Sequence, residues 1–149
     1  MEKREYIEGQ LLYIAHPYGG DEKNKERVQT YLKMLQAKYP EKTLFSPLHN
    51  WGYAPYDKEH QHKPMKDCLE VLQRCNALIL CGNWRESRGC NQEYAAAYVM
   101  DMQIYEIKPT GEICSVESNS RRICDVDERR KRKHGSCPSG LFIPCLSGR

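Results

Sequence analysis

Apolar runs too short to be helices alternate along this chain with segments whose apolar residues recur every three or four positions, and few folds accept that alternation. Gln10 to Ala15 (QLLYIA) reads as a buried strand running into the turn His16-Pro17-Tyr18-Gly19-Gly20. Asp21 is a suitable N-cap for the helix that follows, in which Val28, Tyr31, Leu32 and Leu35 keep the spacing of one helical face. Thr43 to Ser46 is a second strand, halted by Pro47. From His49 to Pro64 no period is visible, which predicts a long loop of the kind that often carries function. Met65, Cys68, Leu69 and Leu72 restore the helical spacing, and Asn76 to Cys81 (NALILC) is the most strand-like run in the chain. After the loop Gly82 to Gly89, Asn91 to Met102 forms a helix whose Ala95, Ala96 and Ala97 let it lie close to a sheet. Gln103 to Ile107 is the fourth strand. The pattern predicts a small doubly wound α/β domain, a parallel sheet with helices on both faces, whose ligands gather at the carboxyl ends of the strands. His16–Gly20, Pro47–Trp51 and Gly82–Gly89 all fall on that edge.

Size and charge bound the rest. At 149 residues the chain suffices for one core and is short for two. The alternation stops near Ile107, so residues 1–107 are expected to form the domain and residues 108–149 a basic, disordered C-terminal tail with at most one short strand. Charge divides at the same place: residues 1–107 hold 14 Lys+Arg against 15 Asp+Glu, whereas residues 108–149 hold 9 against 5. The near-neutral body gives no reason for polyanion binding, and the block Arg129 to His134 supports only weak nucleic-acid affinity through the tail. No apolar run is long enough for a membrane span and the charged start is unlike a signal peptide, so a cytoplasmic protein without membrane contact is expected. Of the eight cysteines, Cys68, Cys75, Cys81 and Cys90 lie in or beside the helices and the strand and read as core thiols of a reducing compartment. Cys114, Cys124, His134, Cys137 and Cys145 match no ribbon or finger spacing, so no metal site is predicted.

The carboxyl edge collects the residues capable of chemistry. Glu93 follows Cys90 by three residues and is expected in the first turn of its helix, where the dipole and free amides favour an ionised carboxylate. Ser87 and Gly89, just ahead of that helix, offer a hydroxyl and an unobstructed backbone amide to an anion such as a phosphate. Gly19 and Gly20 make a second, weaker cradle, since the dinucleotide and Walker glycine spacings are absent. Asp67, beside Cys68, is a candidate proton donor or base-recognition group. Tyr13, inside the first strand, is placed to bond Glu93 across the sheet edge. Trp51 can stack on a planar base and Asn50 can read its edge. Each also has a plainer reading: a surface carboxylate, an ordinary turn, a core tyrosine, a solvated loop.

Taken together, Leu12-Tyr13-Ile14-Ala15-His16-Pro17, the Asn24/Arg27 helix start, Ser46-Pro47-Leu48, Asp67 through Ala77, and Gly82-Asn83-Trp84 with Ser87, Gly89, Glu93 and Ala96 resemble the nucleoside 2-deoxyribosyltransferase-like superfamily, in particular its small bacterial and phage members. The resemblance runs from about residue 10 to residue 107. It implies a flavodoxin-like fold, no cofactor, a nucleoside or nucleotide as ligand, and a homo-oligomer. It further implies that Glu93 attacks C1′ of a 2-deoxyribosyl group, that Tyr13 orients Glu93, that Asp67 assists the leaving base and that Ser87 holds a 5′-phosphate. Two departures stand out. The aspartate that transferring members carry before the nucleophile is missing, with Glu86 the nearest acid, which points to a nucleotide rather than a free nucleoside. His16-Pro17 replaces the small-residue turn usual after the first strand.

The expectation is therefore hydrolysis or transfer at the N-glycosidic bond of a 2′-deoxynucleoside or its 5′-monophosphate through a covalent glycosyl-glutamate. The alternatives are a nucleotide-binding module without turnover, acting as a sensor or sequestering protein, and a protein acting on nucleic acid through its tail.

Overall fold

A computed structural model describes residues 5–52 and 62–116 of the chain. Five strands form one sheet in the order β2-β1-β3-β4-β5: β1 Leu11–Ala15, β2 Thr43–Phe45, β3 Ala77–Cys81, β4 Gln103–Ile107 and β5 Ile113–Ser115. The first four are mutually parallel, with Tyr13 opposite both Phe45 and Leu78, and β5 runs antiparallel to β4. The sheet is thus doubly wound and mixed. The sequence reading ends the regular pattern at Ile107, whereas the chain turns back through Gly111, at a φ of 89°, and adds one short strand. Three residues give too little periodicity to announce a strand. Ile113 is nevertheless buried against Ile107 in the same cluster.

The helices are α1 Glu22–Lys38, α2 Pro47–Asn50, α3 His62–Leu72 and α4 Arg88–Val99. Asp21 caps α1, its carboxylate accepting from the Lys23 amide at 3.0 Å. Val28, Tyr31 and Leu35 of α1 are buried, Tyr31 and Leu35 in a cluster with Leu12, Ile14, Ala77 and Ile79 on one face of the sheet. Leu72 of α3 and Cys90 and Ala97 of α4 pack with Tyr13, Ala15, Leu78 and Leu80 on the other. Alternate residues of β1 and β3 therefore face opposite layers, and every residue of β3 is buried. The long loop expected from His49 to Pro64 is interrupted at both ends: Pro47, favoured at a helix start, opens α2, and α3 begins at His62.

Two connections leave β1 and β3 toward opposite faces, α1 leading to β2 and α4 leading to β4. The gap between the carboxyl ends of β1 and β3 is the topological switch point of such a sheet, the usual ligand crevice. Among the described residues no helix is long and apolar enough to cross a membrane. The tail positions named above, Cys124, Arg129 to His134, Cys137 and Cys145, lie outside the described residues, as does the apolar run Leu141 to Ile143 that could supply the tail's short strand.

Candidate active site

Ser87 ends the loop after β3 in extended conformation, φ −88° and ψ 121°, and its hydroxyl oxygen accepts from the Cys90 amide at 3.3 Å. It is the N-cap of α4, so that helix starts three residues earlier than the sequence reading placed it. Glu93 consequently sits in the second turn, beyond the reach of the free first-turn amides that were expected to keep it ionised. Its electrostatics reverse accordingly. With 5% of its surface exposed, the carboxyl is pushed up to about 7 by burial, against which the Tyr13 hydrogen bond acts in the opposite direction.

That bond is short. The Tyr13 hydroxyl, fully buried at the centre of β1, donates to Glu93 Oε1 at 2.5 Å. Burial first, then the Glu93 charge and Cys68, hold the phenol far above its ordinary range, so Tyr13 stays protonated and donates to Glu93. Glu93 Oε2 has no hydrogen-bond partner among the described residues. No sealed side-chain oxygen or nitrogen there lacks one, so Oε2 reaches solvent. One oxygen is held and the other is open.

Two thiols flank this pair. Burial and the nearby Glu93 charge push both Cys68 and Cys90 up to about 12, leaving them protonated and unreactive at neutral pH. Asp67, half-buried on α3, is near enough for its charge to act on the Cys68 thiol. Trp51 reaches the same side through a chain of rings. Its indole meets Phe45 edge-on at 5.7 Å, and Phe45 lies 5.6 Å from Tyr13. Phe45 went unremarked in the sequence reading; its register opposite Tyr13 is the signal that identifies it. Asn50, one residue before Trp51, is exposed at the end of α2.

The loop that delivers Ser87 is tied down from several sides. Asn91 Nδ2 donates to the carbonyls of Arg85 and Ser87, each at 2.8 Å. Arg85 pairs with both oxygens of Glu106 on β4 at 2.8 and 3.1 Å and lies over the Trp84 ring, whose indole nitrogen donates to the same carboxylate. Ser87 uses a lone pair for its cap, which leaves its hydroxyl hydrogen to donate. At Gly89 a Cβ would lie 3.2 Å from Met65 Cε on α3, the end of a flexible side chain that would have to give by a few tenths of an ångström. Gly19 and Gly20 both have positive φ, 60° and 82°, and are exposed in the turn after β1. The structure thus brings Tyr13, Glu93, Cys68 and Cys90 together, with Trp51 linked to them by Phe45. Gly19 and Gly20 lie in the turn after β1 that leads into α1.

Among the described residues no group of three His, Cys, Asp or Glu side chains could hold a metal ion. Cys68, Cys75, Cys81, Cys90 and Cys114 are free thiols.

Residues 10–106 match the family described as a domain of unknown function, DUF4406. No curated protein matches the chain. Among solved structures, the chain is similar to the 2-deoxyribosyltransferase of the psychrotolerant bacterium Bacillus psychrosaccharolyticus, described as a biocatalyst for the synthesis of antiviral and antitumoral nucleosides. The two are 23% identical with a TM-score of 0.53, over 70% of this chain and 76% of that one. The fold is therefore nucleoside 2-deoxyribosyltransferase-like.

Proposed function

The chain belongs to the DUF4406 family, and from that premise and the geometry around Glu93 we propose that it is an enzyme cleaving the N-glycosidic bond of a 2′-deoxynucleoside or its 5′-monophosphate. The observation that carries the reading is the buried Glu93 carboxyl, fixed through Oε1 by the Tyr13 hydroxyl at 2.5 Å and open at Oε2.

In this reading Oε2 of ionised Glu93 attacks C1′ of the sugar. The C1′–N bond breaks, its electron pair passes to the departing base, and Asp67 supplies the proton that neutralises it. Water, or the nitrogen of a second base, then attacks C1′ from the opposite side, releasing Glu93 and giving up its proton to the Asp67 carboxylate, which is thereby restored. Two inversions give net retention. Tyr13 is a positioning residue: its hydrogen bond fixes the carboxylate and disperses part of its charge. Trp51 stacks on the base, Asn50 borders it, and Ser87 donates to the 5′-phosphate beside Gly89. Gly19 and Gly20 form the opposite wall. The 2-deoxyribosyltransferase noted above lends its fold to this proposal, and no cofactor is required by the chemistry.

Incubation with the four 2′-deoxynucleosides and their 5′-monophosphates, followed by chromatography for free base, tests it. Base release by the native chain, abolished in both Glu93→Ala and Glu93→Gln, is the expected result. Release undiminished in those variants would remove Glu93 from the mechanism. Ligand binding with no release from any of the eight would leave a binding module.

A further inference from the structure

His16 occupies the first position after β1, where the chain has an imidazole in place of a small residue. It is buried, with 6% of its surface exposed, and its ring lies 5.8 Å from that of Tyr31 on α1. Nδ1 is 2.7 Å from the Pro17 carbonyl oxygen. A carbonyl only accepts, so Nδ1 carries the hydrogen and Nε2 of the neutral ring presents a lone pair. Burial, with a further contribution from the Arg27 charge, holds the imidazole below its ordinary range, which keeps that tautomer at neutral pH. Nε2 has no hydrogen-bond partner among the described residues. Since no sealed nitrogen there is left unpaired, it opens to solvent.

It lies against Gly82, the first residue after β3. A Cβ on Gly82, whose φ is 61°, would come within 2.8 Å of His16 Nε2. Nε2 therefore lies beside the end of β3, next to the gap between β1 and β3 where the winding of the sheet reverses, the usual ligand crevice of such sheets. The ring around it is buried, so the one face of Nε2 that is open can accept from water or from a ligand donor.

We propose that His16 is a specificity residue whose Nε2 accepts a hydrogen bond from a sugar hydroxyl of the bound ligand, the 3′-hydroxyl in a 2′-deoxynucleoside 5′-monophosphate. This rests on the nucleotide reading above, because that hydroxyl is the only one such a sugar carries. A neutral acceptor recognises a donor, so a sugar lacking the hydroxyl leaves Nε2 unpaired. Gly82 is its positioning partner, keeping the imidazole in place by having no side chain.

The test compares calorimetric binding of 2′-deoxyadenosine 5′-monophosphate and 2′,3′-dideoxyadenosine 5′-monophosphate to the full chain carrying Glu93→Gln, which holds ligand without turnover. The hydroxyl is expected to improve affinity about five- to tenfold, the worth of one neutral hydrogen bond. Adding His16→Leu, which fills similar space without an acceptor, should erase the difference. Adding His16→Gln, whose amide oxygen reaches the place of Nε2, should restore part of it. A difference that survives His16→Leu, or no difference in the presence of His16, overturns the proposal, as does the absence of binding by both nucleotides. Failure of the catalytic reading looks different: no base is released by the native chain, while the two nucleotides are still told apart through His16.

Discussion

At the scale of single residues, Glu93 opposes ionisation to stability. The carboxyl is held up to about 7, against an ordinary value near 4.5. Below pH 4.5 it is protonated in folded and unfolded chains alike. As the pH rises, the unfolded chain releases this proton first and the folded chain keeps it until about 7, so the stability gained from the protonated form is lost across that window. The full loss is about 3 kcal/mol, at an order of magnitude. Glu93→Gln, which cannot ionise and still accepts from Tyr13, should therefore be more stable than the native chain by up to about 3 kcal/mol at pH 8 and indistinguishable from it at pH 4. Urea unfolding at the two pH values decides this; a variant less stable at pH 8 would mean that the carboxylate is stabilised by something beyond Tyr13. Activity should follow the opposite course. If ionised Glu93 is the nucleophile, base release falls about tenfold for each pH unit below about 7. In Tyr13→Phe the bond that lowers the Glu93 value is gone, so that acid limb should move to higher pH. A pH–rate profile with an unmoved limb would separate Tyr13 from the titration of Glu93.

At the scale of elements, Ser87 couples the start of α4 to the proposed phosphate seat, and its two roles can be measured separately. Ser87→Ala removes the cap of α4 and should lower stability by about 1 kcal/mol whatever the ligand. Under the proposed function it should also raise KM for a deoxynucleoside monophosphate while leaving KM for the free deoxynucleoside close to its native value. An equal rise for both would assign Ser87 to the helix alone. The same helix shows what a sequence does and does not disclose. Ala95 to Ala97 and the strand-like run Asn76 to Cys81 announce that a helix packs on a central strand, because burial imprints itself as periodicity and composition. The starting residue of α4 is not announced in that way. Ser87 and Asn91 are both able to cap, and the choice depends on Asn91 turning its amide back to the carbonyls of Arg85 and Ser87. The three-residue difference moved Glu93 by one turn and inverted the physical account of its charge. Tyr13 facing Glu93 was legible through resemblance, whereas Cys68 beside Tyr13, the approach of Phe45 to Tyr13 and the seat of His16 Nε2 against Gly82 arise from contacts across 30 or more residues of sequence.

At the scale of the whole molecule, the two faces of the sheet are covered unequally. α3 and α4 lie on the face that carries Tyr13 and Glu93, and α1 is the helix of the other face among the described residues. The remainder of that second face is closed by the segment before β1, where Ile7 is buried, and by the turn and strand after β4. The turn is joined to α1 by the Lys38 ammonium, which donates to the Gly111 carbonyl at 3.0 Å, and beyond β5 the Val116 amide returns to the Ile104 carbonyl at 2.8 Å. Ile113, 8% exposed, covers Ile107, which is 2% exposed. Truncation therefore has a position dependence that charge alone does not suggest. A chain ending at Ile107 loses β5 and the Gly111 tie and uncovers Ile107. A chain ending at Val116 keeps all of them and lacks the basic block Arg129 to His134. The shorter chain should be less stable than the longer by about 2–4 kcal/mol, the scale of one buried isoleucine with the contacts it shields. Because Glu93, Tyr13, Ser87 and His16 lie within residues 10–106, the chain ending at Val116 should release base as the full chain does. Equal unfolding midpoints for the two truncations would mean that β5 is incidental to the fold, and loss of base release in the longer one would give residues 117–149 a part in the chemistry.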